Sequence, residues 1–262
     1  MVVQVGGLLY SLLHLGGFAG DVAHYTQGCA GSTRVLELGC GEGRLAMALA
    51  RSSEYVGIDC CAEFVAKARG RLAGLASAST VPAVFLEADF LEPVCTPSSF
   101  DAVVLSANVL FCCATHKALL NRCADALQPG GKLLLDVYNA QPWHEVSALG
   151  GEHPEGAHGD MLVSVTDEEG TDWRVFERDP QVDTAQQRII CCYDFVPSGP
   201  IAAAPISESL VHHYLLPDEL LWLLSKHSFD VEEVWGDFFH APFDARSSEH
   251  LVVTARRRGG ST

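Results

Sequence analysis

The chain has 262 residues, enough for one large domain or a domain with an inserted subdomain, and it sets 33 acidic residues against 17 Lys and Arg, a formal net charge of −16. That balance disfavours a nucleic-acid partner, because cations neutralising phosphates supply most of such affinity, and it suits small neutral or cationic substrates. No apolar run approaches the roughly 20 residues of a membrane span.

The sequence therefore reads as soluble, cytoplasmic and without a membrane partner. Its ten cysteines lack C-x-x-C and zinc-finger spacing, which reads as buried reduced thiols and no metal site.

Leu8, Leu9, Leu12, Leu13 and Leu15 form a helical stripe that predicts a leading helix and loop over residues 8–27, with His24 and Tyr25 near its end. Val35-Leu36-Glu37-Leu38 is a short apolar run that stops at the alternate glycines Gly39, Gly41 and Gly43. Leu45 to Ala50 then resume a helix-spaced pattern, so the stretch reads as a strand, a tight turn and a helix start. Such glycines let backbone approach a ligand closely. A dinucleotide fingerprint needs G-x-G-x-x-G, whereas this chain has G-x-G-x-G with Glu37 two residues ahead. An acid there repels a pyrophosphate and suits a cationic ligand.

A second strand over residues 54–59 ends in Asp59, about 20 residues past the glycines, where ribose hydroxyls are usually held. Val65, Ala68, Leu72 and Leu75 mark a helix over residues 62–75, and 76–80 read as a linker. Residues 83–90 form a third strand ending in Asp89-Phe90. Residues 100–106 form a fourth, followed by Ala107-Asn108. A helix around 114–127 stops at Pro129-Gly130-Gly131, a turn that leads into the fifth strand and Asp136.

Residues 140–215 depart from this rhythm. A loop with Pro142, Trp143 and His144 leads past Gly150, Gly151 and Gly156 into alternating Met161, Val163 and Val165. A turn at 167–170 then separates these from Trp173 and Val175, a hairpin pattern. Further strands are expected at residues 188–195 and 209–214. An antiparallel insert of this length is too long for a connection and reads as a cap over the edge where open α/β sheets bind ligands. Pro217-Asp218-Glu219 opens a helix, and residues 231–235 and 251–255 are two closing strands.

These landmarks, in this order, resemble the class I S-adenosylmethionine (SAM) dependent methyltransferases of small-molecule type, firmly over residues 33–138 and more loosely in the last third. The resemblance implies a doubly wound, Rossmann-like seven-stranded α/β sheet with an inserted antiparallel β cap. Residues 1–140 would be the SAM-binding core with an N-terminal lid helix, 141–214 the substrate cap, and 215–262 the closing helix and strands. It also implies SAM as cofactor and S-adenosylhomocysteine as product. Gly39, Gly41 and Gly43 would form the methionine-side turn, with Glu37 near its ammonium. Asp59 would take the ribose, Asp89 and Phe90 the adenine, and Asn108 would line the site.

The expected activity is methyl transfer to an N or O atom of a small molecule. His213 is the candidate base, with Tyr25 and Tyr214 as candidate active-site residues. Three alternatives remain open: a protein or nucleic-acid methyltransferase, an aminopropyl transferase, and a non-catalytic partner protein of the same fold.

Overall fold

The computed structural model describes residues 12–13, 16–75, 82–93, 95–148, 161–167, 170–199 and 204–259, and sorts their strands into two sheets. Most of the leading leucine stripe, the 76–80 linker, the glycines at 150, 151 and 156, and Glu168 and Glu169 lie outside the described residues. The first described helix is α1 (Asp21–Gly28), followed by β1 (Arg34–Leu38), α2 (Ala46–Leu49), β2 (Glu54–Asp59), α3 (Ala62–Leu75) and β3 (Ala83–Glu87). Then come β4 (Phe100–Leu105), α4 (His116–Ala126), β5 (Leu127–Tyr138) and α5 (Gln141–Ala148). Four strands follow, β6 (Met161–Thr166), β7 (Asp172–Asp183), β8 (Arg188–Pro197) and β9 (Ile206–His213). The chain closes with α6 (Pro217–Lys226), β10 (Phe229–Trp235) and β11 (His250–Arg257).

The larger sheet has the order β10-β11-β5-β4-β1-β2-β3, with β1 to β5 parallel and β11 antiparallel to both of its neighbours. Its middle strands are mostly apolar because both faces are covered, with Glu37 in β1 and Asp136 in β5 as buried exceptions. Val35, Ala102, Val104 and Leu134 share a core with Tyr25 of α1, Leu49 of α2 and Val65 of α3. The intervening Leu36, Val103, Leu105 and Leu133 share the opposite core with Leu120 of α4 and Leu224 of α6. Strand order reverses between β1 and β4, so the cleft for a ligand opens beyond the ends of these two strands.

Four details differ from the sequence reading. The helix after the glycines is one turn, Ala46–Leu49, because the chain turns at 50–53 to enter β2. β3 ends at Glu87, which pairs with Asp59, so Asp89 and Phe90 lie in the loop beyond it. The Pro129-Gly130 turn is absorbed into β5 as a bulge: Phe100 pairs with Leu127 while Ala102 already pairs with Lys132. The stretch with Pro142, Trp143 and His144 is a helix and not a loop. Its start is fixed by Asn139 Oδ1, which accepts the Gln141 N–H at 3.2 Å, and Gln141 Nε2 donates to Glu145 one turn on at 2.6 Å.

The second sheet is an antiparallel meander, β6-β7-β8-β9. Trp173, Val175, Tyr193, Phe195 and Leu210 are buried on one of its faces, together with Leu12, Leu13 and Cys112 from outside the sheet. Ile189 and Cys191 carry the packing on into the core of the larger sheet. The β7–β8 turn is also tied down: Gln187 Nε2 donates to Glu219 Oε2 at 2.6 Å, and Gln187 O accepts the Tyr214 N–H at 2.8 Å. None of the described helices is long and apolar enough to cross a membrane.

Leu134→Ala, in the middle of the sheet, should lower stability by about 2–5 kcal/mol through lost burial and the cavity left behind. Leu162→Ser, at a β6 position that is 52% exposed, should change it by less than about 0.5 kcal/mol. Urea denaturation of both variants separates the two cases.

Candidate active site

At the end of β1 the chain turns sharply, and both Gly39 N and Cys40 N donate to Ile58 O, at 2.7 and 3.0 Å. Gly39 has φ 74°, and a Cβ placed there would stand 2.5 Å from Val109 Cγ2, so the turn admits no side chain. Gly41 and Gly43 are also left-handed, at φ 53° and 78°. Between them Glu42 is fully buried and neutralised from α3, with Arg71 Nη2 at 2.5 Å and Lys67 Nζ at 3.3 Å. That pairing keeps a second acid in the turn from adding its charge to the cleft.

Glu37 is buried under this turn. Tyr55 Oη donates to its Oε2 at 2.5 Å and Ser106 Oγ to its Oε1 at 2.9 Å. Burial dominates those bonds and pushes the carboxyl up to about 7. Asp59 accepts Gly41 N–H on Oδ2 at 2.8 Å and Cys61 N–H on Oδ1 at 2.9 Å, and burial raises its pKa as well. Cys60 N–H also bonds to this carboxylate, which has about four acceptor positions, so a position remains for a hydroxyl donor. Asp89 Oδ1 accepts Leu91 N–H at 2.9 Å, and Phe90 is buried in a core with Leu38 and Ile58. Asn108, at φ 64°, accepts Tyr138 N–H at 2.6 Å and thereby joins the β4 loop to the end of β5. The residues that the sequence reading assigned to a cofactor thus lie at or just beyond the C-terminal ends of β1, β2, β3 and β4.

The candidate catalytic residues do not converge in the same way. Tyr25 is fully buried and donates to Asp136 Oδ1 at 2.5 Å, and the same oxygen accepts Ala107 N–H at 2.8 Å. His24 pairs through Nδ1 with His240 Nε2 at 3.1 Å, and burial, then His240, lowers its pKa. Tyr214 is buried, with its hydroxyl 2.8 Å from His144 Nδ1, and burial pushes it up to about 12. His213 stands opposite Arg188 in the cap register, and burial, then Arg188, lowers its pKa. Its neighbour His212 points to the other face of β9, with its ring 5.5 Å from that of Tyr138.

Several participants escaped the sequence reading. Tyr55 and Ser106 carry no local motif, and only the β1 register brings them to Glu37. Arg44 follows the glycines directly and pairs with Asp21 of α1 at 2.7 Å. Asp136 was visible as a lone acid in an otherwise apolar strand, and His212 as the position in phase with buried Leu210.

Residues 35–131 match a family described as a methyltransferase domain. The matched stretch runs from β1 to the bulged start of β5. A ubiquinone biosynthesis O-methyltransferase of Idiomarina loihiensis is 31% identical over 147 residues, 53% of this chain and 58% of that protein. One from Xanthomonas oryzae pv. oryzae is 35% identical over 132 residues, 48% of this chain and 54% of its own length. The chain thus spans about half the length of the curated relatives it matches.

Two solved structures share the methyltransferase fold over nearly the whole chain. The CcbJ methyltransferase from Streptomyces caelestis has a TM-score of 0.70 at 21% identity, covering 93% of this chain and 98% of that one. SAM-bound CalS10, an amino pentose methyltransferase from Micromonospora echinaspora, has a TM-score of 0.66 at 17% identity, covering 98% of each chain.

Tyr25→Phe should lower stability by about 1–3 kcal/mol, because it removes a donor from a carboxylate that is wholly buried. Chemical denaturation measures this. A loss under about 0.5 kcal/mol would show that the bond to Asp136 does not hold α1 in place.

Proposed function

We propose that this protein transfers a methyl group from SAM to a nitrogen or oxygen atom of a small molecule, bound between the edge of the larger sheet and the buried face of the β6–β9 cap. The observation that carries this reading is the pair of acids, buried Glu37 and partly buried Asp59, at the ends of neighbouring parallel strands beside the Gly39 turn. Gly39 packs against Val109 in that turn, and the two acids match an ammonium and a diol. Glu37 would face the ammonium and Asp59 the ribose hydroxyls. Asp89 and Phe90 would take the adenine, with Asn108 beside them.

When bound, SAM supplies a sulfonium methyl carbon that needs little further activation. The chain's part is then to bind, orient and exclude water. Holding a nucleophile in line can lower a barrier by roughly 7–11 kcal/mol. No proton transfer need be assigned to His213, whose side chain the register turns away from the cap's buried face. Nor is one assigned to Tyr25, which is engaged with Asp136, or to Tyr214, which is engaged with His144. The catalytic contribution in this reading is alignment.

Calorimetry tests the cofactor assignments. Asp59→Ala should weaken SAM binding at least about tenfold, since each hydrogen bond lost to a charged group costs roughly 1.5–3 kcal/mol. Gly39→Val should abolish it. Unchanged binding by both variants would sink the reading.

A pH dependence follows from Glu37. Below about 7 its carboxyl is protonated and offers the ammonium no charge. Affinity for SAM should therefore rise as pH increases from 6 through about 7, and binding near pH 6.5 should release a proton, seen as a buffer-dependent heat. Glu37→Gln should flatten both effects.

A further inference from the structure

The cap register sorts its side chains onto two faces. Glu177 stands opposite Tyr193, Tyr193 opposite Glu208, Cys191 opposite Leu210, and Ile189 opposite His212. Side chains alternate along a strand and cross-strand partners share a face, so these residues lie together on the face that buries Val175, Phe195 and Leu210. Among its described residues this face carries no Lys or Arg. Arg174, Arg178 and Arg188 fall on the opposite face, where Arg178 Nε meets Asp194 Oδ2 at 3.1 Å.

The buried face looks toward the cofactor edge. Cys112, which packs into the cap's core, lies close enough to Asp59 and Cys60 for both to act on its thiol, and burial is the main cause that pushes it up to about 12. Tyr138, at the end of β5, has a buried hydroxyl with no hydrogen-bond partner. Its neighbours are Cys112, Cys191 and Tyr214, and its ring lies 5.5 Å from that of His212. An unpaired buried hydroxyl is costly to leave unmade and marks a place where a polar ligand group completes the site.

We infer that the acceptor is an amine, with its nitrogen held by the Glu177 carboxylate on the buried face of the cap and a second polar group met by the Tyr138 hydroxyl. Tyr193 donates to Glu177 and fixes its orientation. Among the described residues no cation pairs with Glu177. A half-buried carboxylate without a counter-ion attracts an ammonium and repels carboxylates and phosphates, which sets a charge preference as well as a contact. Burial raises the Glu177 pKa, as expected for an acid whose cation arrives with the ligand. The inference rests on the methyltransferase reading above.

The test uses the full chain saturated with S-adenosylhomocysteine. Thermal shift is read against matched sets of small amines, alcohols and carboxylic acids built on the same carbon skeletons, and dissociation constants are then measured for the binders. Amines should dominate the binders. Glu177→Gln should weaken them about tenfold or more, Glu177→Asp should retain part of the affinity, and Arg178→Gln on the opposite face should change it less than about twofold. S-adenosylhomocysteine affinity should stay within about threefold in every variant.

Carboxylates or alcohols as the main binders, amine binding unchanged in Glu177→Gln, or no amine bound at about 10 mM would each overturn the inference and leave the methyltransferase reading standing. Failure of the unmodified chain to bind S-adenosylhomocysteine would overturn both.

Discussion

A carboxylate kept in a dry interior constrains the cofactor edge. Glu37 ends an apolar strand and is 2% exposed, and its two hydrogen bonds do not offset what burial takes away from the charged form. A shift from 4.5 to about 7 corresponds to about 3 kcal/mol against ionisation at neutral pH. Between these two values the folded chain binds more protons than the unfolded one, so this group's contribution to stability falls as pH rises through that window. Such a residue is poor for folding and has value only if something cationic arrives to pair with it. Tyr55 and Ser106 aim the carboxylate, and Gly39 lacks a side chain where Val109 packs against the turn.

A second buried acid ties the leading helix to the same edge. Asp136 is fully buried on β5, takes Tyr25 from α1 and Ala107 N–H from the β4 loop on one oxygen, and has no hydrogen-bond partner on the other. Asp21, at the start of α1, pairs with Arg44 just past the glycines. The helix is therefore fastened at two points, once to the end of the sheet and once to the cofactor turn. Because both fastenings are charged and buried, moving α1 exposes or strands a charge, and the helix and the turn are energetically one unit.

The signals legible in the sequence are local and periodic. The central strands are buried on both faces and so appear as plain apolar runs; the glycines, Glu37 and Asp59 follow one another at fixed spacings. The partners did not show, because they are set by register. Tyr55 reaches Glu37 only because β2 lies beside β1, and nothing near residue 55 announces it. The helix at Gln141–Ala148 was hidden by Pro142, which usually marks a turn but sits harmlessly in a first helical turn, where its missing N–H has no partner to lose. His213 is a candidate on its titration range, which says nothing about the face it occupies. Strand alternation, counted from Leu210, puts His212 on the buried face.

The large sheet is filled on both faces by apolar side chains, and its edge carries the two acids and the glycine turn. The cap is different. Its strands bury one face only, and along that face apolar positions such as Val175 and Leu210 are interrupted by Glu177, Glu208 and His212. Polar groups on a buried face lower stability unless they are paired, and Tyr193 only partly pairs Glu177. A cap selected for stability alone would carry Val or Ile at such positions. Glu177, on that face and with no cation paired to it among the described residues, is the position where a selected molecule would complete the cap's packing.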